Sequence, residues 1–172
     1  MSTDVQSMCG GRTVHHSREP VAYLNGRPIR AILLLGAAAT NGSLSIVEHS
    51  LAPRALGSPV HSHRNEDEYS LVLEGIVGVQ IGDQIARADV GSVIVKPRDT
   101  PHAFWNPTDA PARLLEIISP GGFESYFEQL GKLLSSGAPP DPAALGAIAE
   151  RHGLELDLGS IPRLVREYGL RL

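Results

Sequence analysis

Gly57-Ser-Pro-Val-His61-Ser-His63-Arg-Asn-Glu-Asp-Glu68 is the stretch on which the reading of this chain turns. His61 and His63 stand at i and i+2, and an extended strand points alternate side chains to one face, so both imidazoles can enter the same cavity. Glu68 lies an odd number of residues beyond His63 and would face the other way on an unbroken strand. The chain must therefore turn or bulge between them, and Arg64-Asn65-Glu66-Asp67, polar and rich in turn formers, supplies the turn. His102 follows 34 residues after Glu68, beyond the turn Lys96-Pro97-Arg98-Asp99-Thr100-Pro101, and opens the next extended segment. Three imidazoles and one carboxylate drawn from separate strands predict a preorganised pocket that closes on a single transition metal.

Working outward, apolar extended runs fall at Ala31 to Leu35, Leu44 to Leu51, Tyr69 to Leu73, Ile76 to Ile81, Gln84 to Ala88, Ser92 to Val95, Ala103 to Trp105 and Arg113 to Ile118. Turns at Thr40-Asn41-Gly42-Ser43, Glu74-Gly75, Gly82-Asp83 and Asp89-Val90-Gly91 separate several of them. Short strands at such close spacing predict a sandwich or barrel rather than a parallel sheet with crossover helices. The period changes at Pro120-Gly121-Gly122: Phe123, Tyr126, Phe127, Leu130, Leu133 and Leu134 share one face of a helix that ends near Ser135-Ser136-Gly137. That face is read as packing on the barrel or on a second subunit, with a lid over the cavity mouth as the alternative. A second helix is expected from Asp141 (N-cap) and Pro142, with Leu145, Ile148 and Ala149 as its apolar stripe, to Gly153; a third spans Ser160 to Tyr168.

The 172 residues suffice for one domain with an appendage. The expected divisions are a flexible segment over 1–20, a barrel over 21–119 and a helical C-terminal extension over 120–172. A formal charge of −4 with no basic cluster offers nothing to a nucleic-acid backbone or an anionic membrane. Cys9 is the single cysteine, so no intrachain disulfide can form and a cytoplasmic setting is expected. Ala31 to Ala39 partly imitates a secretory hydrophobic region, but the preceding stretch carries Asp4 and Glu19 and the run is too short to cross a bilayer, so it reads as a buried strand.

The donor set does not choose its metal, since imidazole with one carboxylate suits Fe, Mn, Ni, Cu, Co and Zn alike. Without thiolates a closed structural zinc is disfavoured, and an ion accepting five or six ligands keeps positions open for substrate. With Gly75 after the first motif, and with Gly91, Pro97, His102 and Asn106 forming a second, residues 57 to 106 resemble the two conserved motifs of the cupin family. The wider chain looks like the small single-domain cupins of the quercetin dioxygenase-like group. Two departures stand out: Asp99 occupies a position usually held by Gly, and only three residues separate Gly57 from His61 where the family has five.

The resemblance implies an all-β fold, a double-stranded β-helix (jelly-roll) barrel with one divalent metal held by His61, His63, Glu68 and His102. It further implies a dioxygenase acting on a small flavonol- or diketone-like substrate, with Glu68 as both ligand and catalytic base, in a homodimer. A metal-dependent isomerase or cyclase on the same ion is the alternative, and a non-catalytic metal- and ligand-binding module the third possibility. Strand alternation adds Ser70, Val72 and Phe104 to the substrate pocket. It places Trp105 and Tyr69 on the opposite face, at a subunit interface or under the helical tail. Asn106 reads as a residue that satisfies a turn, His49 as a surface or rim residue, and His15, His16 and His152 as outside the site.

Overall fold

The computed structural model describes residues 28–135 and 141–172; the segment 1–20, with Cys9, His15 and His16, lies outside the described residues, as does the helix end read near Ser136 and Gly137. The strands are β1 (Ile29–Leu35), β2 (Ser45–Leu51), β3 (Val60–His63), β4 (Asp67–Glu74), β5 (Ile76–Ile81), β6 (Gln84–Asp89), β7 (Val93–Lys96), β8 (His102–Trp105), β9 (Ala112–Ser119) and β10 (Leu154–Asp157), and the helices α1 (Glu124–Leu134), α2 (Pro142–Arg151) and α3 (Ser160–Tyr168). Among the described residues the strands form two five-stranded sheets, ordered β1-β2-β9-β4-β7 and β10-β3-β8-β5-β6. Their strand pairs are antiparallel, and the two sheets enclose a jelly-roll barrel with the helices following it. This is the expected all-β barrel with a C-terminal helical extension.

Alternation decides what reaches the interior. Along β2, β4 and β9 every second residue is buried, which turns Val47, Leu51, Val72, Leu114 and Ile118 inward together with the polar Ser45, His49, Glu68, Ser70 and Glu116. The first sheet thus carries a polar seam across an otherwise apolar inner face. On β7 the usual arrangement is inverted: Val93 and Val95 are 64% and 53% exposed, whereas Lys96 is 1% exposed. Register is what enforces this, because Lys96 pairs directly with Glu68 across the β4–β7 ladder and a one-residue slip would swap every side chain to the other face.

The extension is less purely helical than expected. After α2, which starts on the Asp141 N-cap (its Oδ1 accepts from the Ala143 N–H at 3.1 Å), the chain forms β10 and pairs with β3. The segment is short and follows a helix closely, so neither periodicity nor turn chemistry announces it; its partner supplies the reason for its existence. α3 then lies across the outside of the second sheet, where Tyr168 stacks on Trp105 with ring centroids 4.4 Å apart and Leu164 and Leu170 pack beside the indole. Of the two readings of Trp105, cover by the tail is the one realised. Gly78 of β5 makes this possible, since a Cβ there would lie 2.2 Å from Trp105 Nε1. A Gly78→Ala protein is expected to lose roughly 1–3 kcal/mol through overpacking. Thermal melts check this, and an unchanged midpoint would mean that the indole can shift.

Asn106 satisfies backbone as expected, its side-chain amide donating to the carbonyls of Ala52 (3.0 Å) and Ala110 (2.7 Å). Asp99 adopts φ 59°, the left-handed conformation that the family's Gly would supply and that Asp tolerates better than most residues. Among the described residues no helix is long and apolar enough to cross a membrane.

Candidate metal centre

β3 brings His61 and His63 in from one sheet, and His102 stands directly opposite His61 on β8. Glu68 arrives from the facing sheet, after the turn at residues 64–66. One ligand atom from each of the four residues lies within 4.8 Å of all the others. The Pro97 to Pro101 turn sets His102 in place: the Asp99 N–H donates to the His63 carbonyl at 2.7 Å, and Arg98 donates to Asp67 at 2.8 Å through Nη2. That guanidinium pulls the Asp67 carboxyl down to about 2.

The orientation of two of the three imidazoles is fixed from behind. Nδ1 of His61 lies 2.9 Å from the Pro59 carbonyl and Nδ1 of His102 lies 2.9 Å from that of Thr100. A carbonyl only accepts, so both rings carry the proton on Nδ1 and turn a bare Nε2 toward the cluster. Burial holds the pKa of His61 well below its ordinary value, helped by the adjoining His102 and His63, and burial also lowers that of His102. The neutral, ligand-competent form prevails in both. His63 Nε2 is buried with no hydrogen-bond partner, which is the condition expected of a lone pair reserved for a cation. Together the four side chains suit a single divalent metal ion, without distinguishing among the transition metals.

Behind His63, Glu66 places Oε2 3.6 Å from Nδ1, just beyond hydrogen-bond reach. A carboxylate at the far nitrogen of a metal-bound imidazole fixes its tautomer and raises its basicity, and removing such a group typically costs about 10–100-fold in affinity. Glu66→Gln is accordingly expected to weaken metal binding by roughly that factor while leaving the fold intact. Competition titration against a chromophoric chelator measures it; equal affinities would remove Glu66 from the site.

Glu68 is fastened by more than the histidines. Its Oε2 lies 2.9 Å from Lys96 Nζ and 3.2 Å from His102 Nε2, and its Oε1 lies 3.3 Å from His63 Nε2. Burial alone would raise its pKa, but the Lys96 ammonium, with His63 and His102, holds the carboxyl well below its ordinary range. Lys96 also donates to Glu116 Oε2 at 2.7 Å, and the Ser70 hydroxyl donates to both Glu116 oxygens at 3.0 and 3.1 Å. Burial pushes Glu116 up to about 7, against the pull of Lys96. Sequence reading missed both Lys96 and Glu116; the signal was the inverted pattern Val93-Ile94-Val95-Lys96, a lysine in phase with the inward position.

A cavity of about 120 Å³ opens onto His61, His63 and Glu68. Its wall is mostly apolar, with Phe104 from the barrel and Phe123, Tyr126, Phe127 and Leu130 from the start and inner face of α1. The apolar face of α1 therefore both packs on the barrel and covers the cavity. Glu124 anchors that cover by accepting from the Ala37 N–H at 2.7 Å. Of the three pocket residues taken from alternation only Phe104 reaches the wall. Ser70 is spent on Glu116, and Val72 lies deeper, in the core cluster. His49 needs the opposite correction. It is 4% exposed, not a surface residue, because it shares the inward phase of Val47 and Leu51, and it lines the cavity beside Phe104 and Phe127. Its burial lowers the imidazole pKa to about 4.

Residues 47–118 match the family described as "Cupin domain". No curated protein matches the chain. Among solved structures, KdgF from Halomonas sp. is similar at 19% identity over 57% of this chain and 84% of its own, with a TM-score of 0.51. A predicted oxalate decarboxylase from Thermotoga maritima is similar at 18% identity over 54% of this chain and 80% of its own, with a TM-score of 0.51. The cupin domain of Cnp3 from Schizosaccharomyces pombe is similar at 16% identity over 58% and 69%, with a TM-score of 0.50. At such identities the likeness speaks for the fold alone, and it agrees with the jelly-roll arrangement of the two sheets, within which residues 47–118 are similar to a cupin domain.

Proposed function

We propose that this protein is a metal-dependent enzyme that oxygenates a small, largely apolar organic molecule bearing a carbonyl or hydroxyl group. The observation that carries this reading is the aromatic cavity that opens onto His61, His63 and Glu68. Mere metal storage has no use for an apolar chamber beside the ion, whereas catalysis on an organic molecule needs one. Size narrows the substrate. A cavity of roughly 150 Å³ holds one benzene, so the present one, about 120 Å³, favours a diketone or a single ring over a three-ring flavonol.

A bound divalent ion would supply Lewis-acid stabilisation of a developing oxyanion and, if redox-active, a route for dioxygen chemistry. The protein does the rest. His61, His63, His102 and Glu68 hold the ion, and Phe104, Phe123 and Phe127 exclude water and flank the substrate. The carboxylate of Glu68, held ionised beside Lys96, is a weak base, so its role in this reading is that of a ligand. Glu116, on the same cavity wall, is better matched to accept a substrate proton near neutral pH.

The test is to purify the protein, identify its metal by elemental analysis, and follow oxygen consumption with 2,4-pentanedione and with a flavonol. Consumption that depends on the diketone and on the metal supports the reading. A product isomer without oxygen uptake would replace it by isomerisation, and a metal-loaded protein inert toward both compounds would overturn it.

A further inference from the structure

Besides the two ring nitrogens of His63 at the metal cluster, the cavity-lining residues hold two buried polar atoms without a hydrogen-bond partner, Nδ1 of His49 and Oγ of Ser58. Native interiors rarely tolerate such atoms, because each gives up its bonds to water and receives nothing in return. Here the neighbours cannot help. Both flank Phe104: the rings of His49 and Phe104 have centroids 5.7 Å apart, and the Ser58 N–H donates to the Phe104 carbonyl at 3.3 Å. Phe127 also packs against His49, at 5.5 Å between centroids. Lys96 and Ser70 are already committed, Lys96 to Glu68 and Glu116, and Ser70 to Glu116. Neither His49 nor Ser58 belongs to the four-residue metal cluster.

We propose that His49 and Ser58 form a polar subsite that receives a hydroxyl or carbonyl oxygen of the substrate, the one that does not face the metal cluster. The inference rests on the reading of this cavity as the substrate site and sharpens it: the ligand is a small apolar body carrying two oxygen functions. One is directed at His61, His63 and Glu68, and the other at His49 and Ser58. The hydroxyl of Ser58 can donate or accept, and the neutral imidazole does either according to its tautomer, so the pair accommodates an alcohol, a phenol or a ketone. An analogue lacking that oxygen leaves both atoms unpaired, and discrimination follows from that loss.

The experiment uses phenol and benzene as probes, with binding measured by calorimetry on the zinc-loaded full chain, where no redox turnover intervenes. The ratio of the two affinities is the readout. His49→Phe and Ser58→Ala are each expected to reduce phenol affinity severalfold, up to about tenfold, with benzene affinity preserved, while His49→Asn keeps much of the preference. Ser58→Ala removes a single oxygen and serves should His49→Phe fail to fold. A phenol-to-benzene ratio that is unchanged in both variants, or a wild-type protein that binds neither probe, would overturn the subsite. Zinc content is measured alongside. Failure of oxygen uptake with the redox-loaded enzyme would sink the oxygenase reading without moving the phenol-to-benzene ratio, so the two failures are told apart.

Discussion

A Lys96→Met protein is expected to be less stable than the wild type by about 3–5 kcal/mol, the usual cost of leaving a buried charge without its partner, and to melt roughly 10 °C or more lower. Lys96 is the only cation that touches both Glu68 and Glu116 among the described residues, at 2.9 and 2.7 Å. Met matches its length and removes its charge, so two carboxyl groups would share one apolar interior with the Ser70 hydroxyl on Glu116 as the remaining donor. Glu116 can respond by keeping its proton, since burial already pushes it up to about 7. Glu68 has no such recourse if it is to hold a metal. Two further outcomes follow. The double variant Lys96→Met/Glu116→Gln should recover part of the loss, and a bound divalent ion should recover more, because it replaces the missing positive charge beside Glu68. Melting with and without a chelator therefore separates the variant from the wild type more sharply than either condition alone. A loss below about 1 kcal/mol, a value ordinary for exposed pairs, would show that the network contributes little.

His61→Ala and His102→Ala are each expected to abolish metal retention. Loss of a group behind a ligand costs about 10–100-fold in affinity, and loss of the ligand itself, at a centre with one carboxylate and no thiolate, should exceed the upper end of that range. The fold should survive, because the Lys96–Glu68 pair still occupies the interior and the core clusters around Val72, Leu114 and Phe104 are untouched. Elemental analysis after dialysis, paired with circular dichroism, checks both halves. Stoichiometric metal in either variant would remove that residue from the ligand set.

The cluster was legible in the sequence because strand alternation and a short turn are local properties: His61, His63 and Glu68 fall within eight residues, and the Pro97 to Pro101 turn advertises His102. The barrel was legible from the glycine turns and the short apolar runs. What escaped were features decided by pairing partners far along the chain. His49 sits in a strand whose alternation was available to be read, but a lone histidine gives no chemical hint of burial. The inward phase of Lys96 and Glu116 could be read along their own strands, but that Lys96 meets Glu68 and Glu116 meets Ser70 is set by cross-strand register, which no window around either residue contains. Strand β10 is the same case in backbone form, four residues whose conformation is dictated by β3.

That last pairing has a consequence for the order in which the protein is made. Leu154 stands opposite His63 and Leu156 opposite His61, so the strand carrying two of the four ligands lacks its outer neighbour until β10 has been synthesised. The separation is 91 residues for the Arg64–Glu155 contact at the edge of this ladder. At about 5–20 residues per second, a ribosome needs roughly 5–20 s to cover that distance. During this interval β3 lacks the outer strand that covers its edge in the folded barrel. An ion captured then would meet a site whose cavity still lacks Leu154 and Leu156 from its wall.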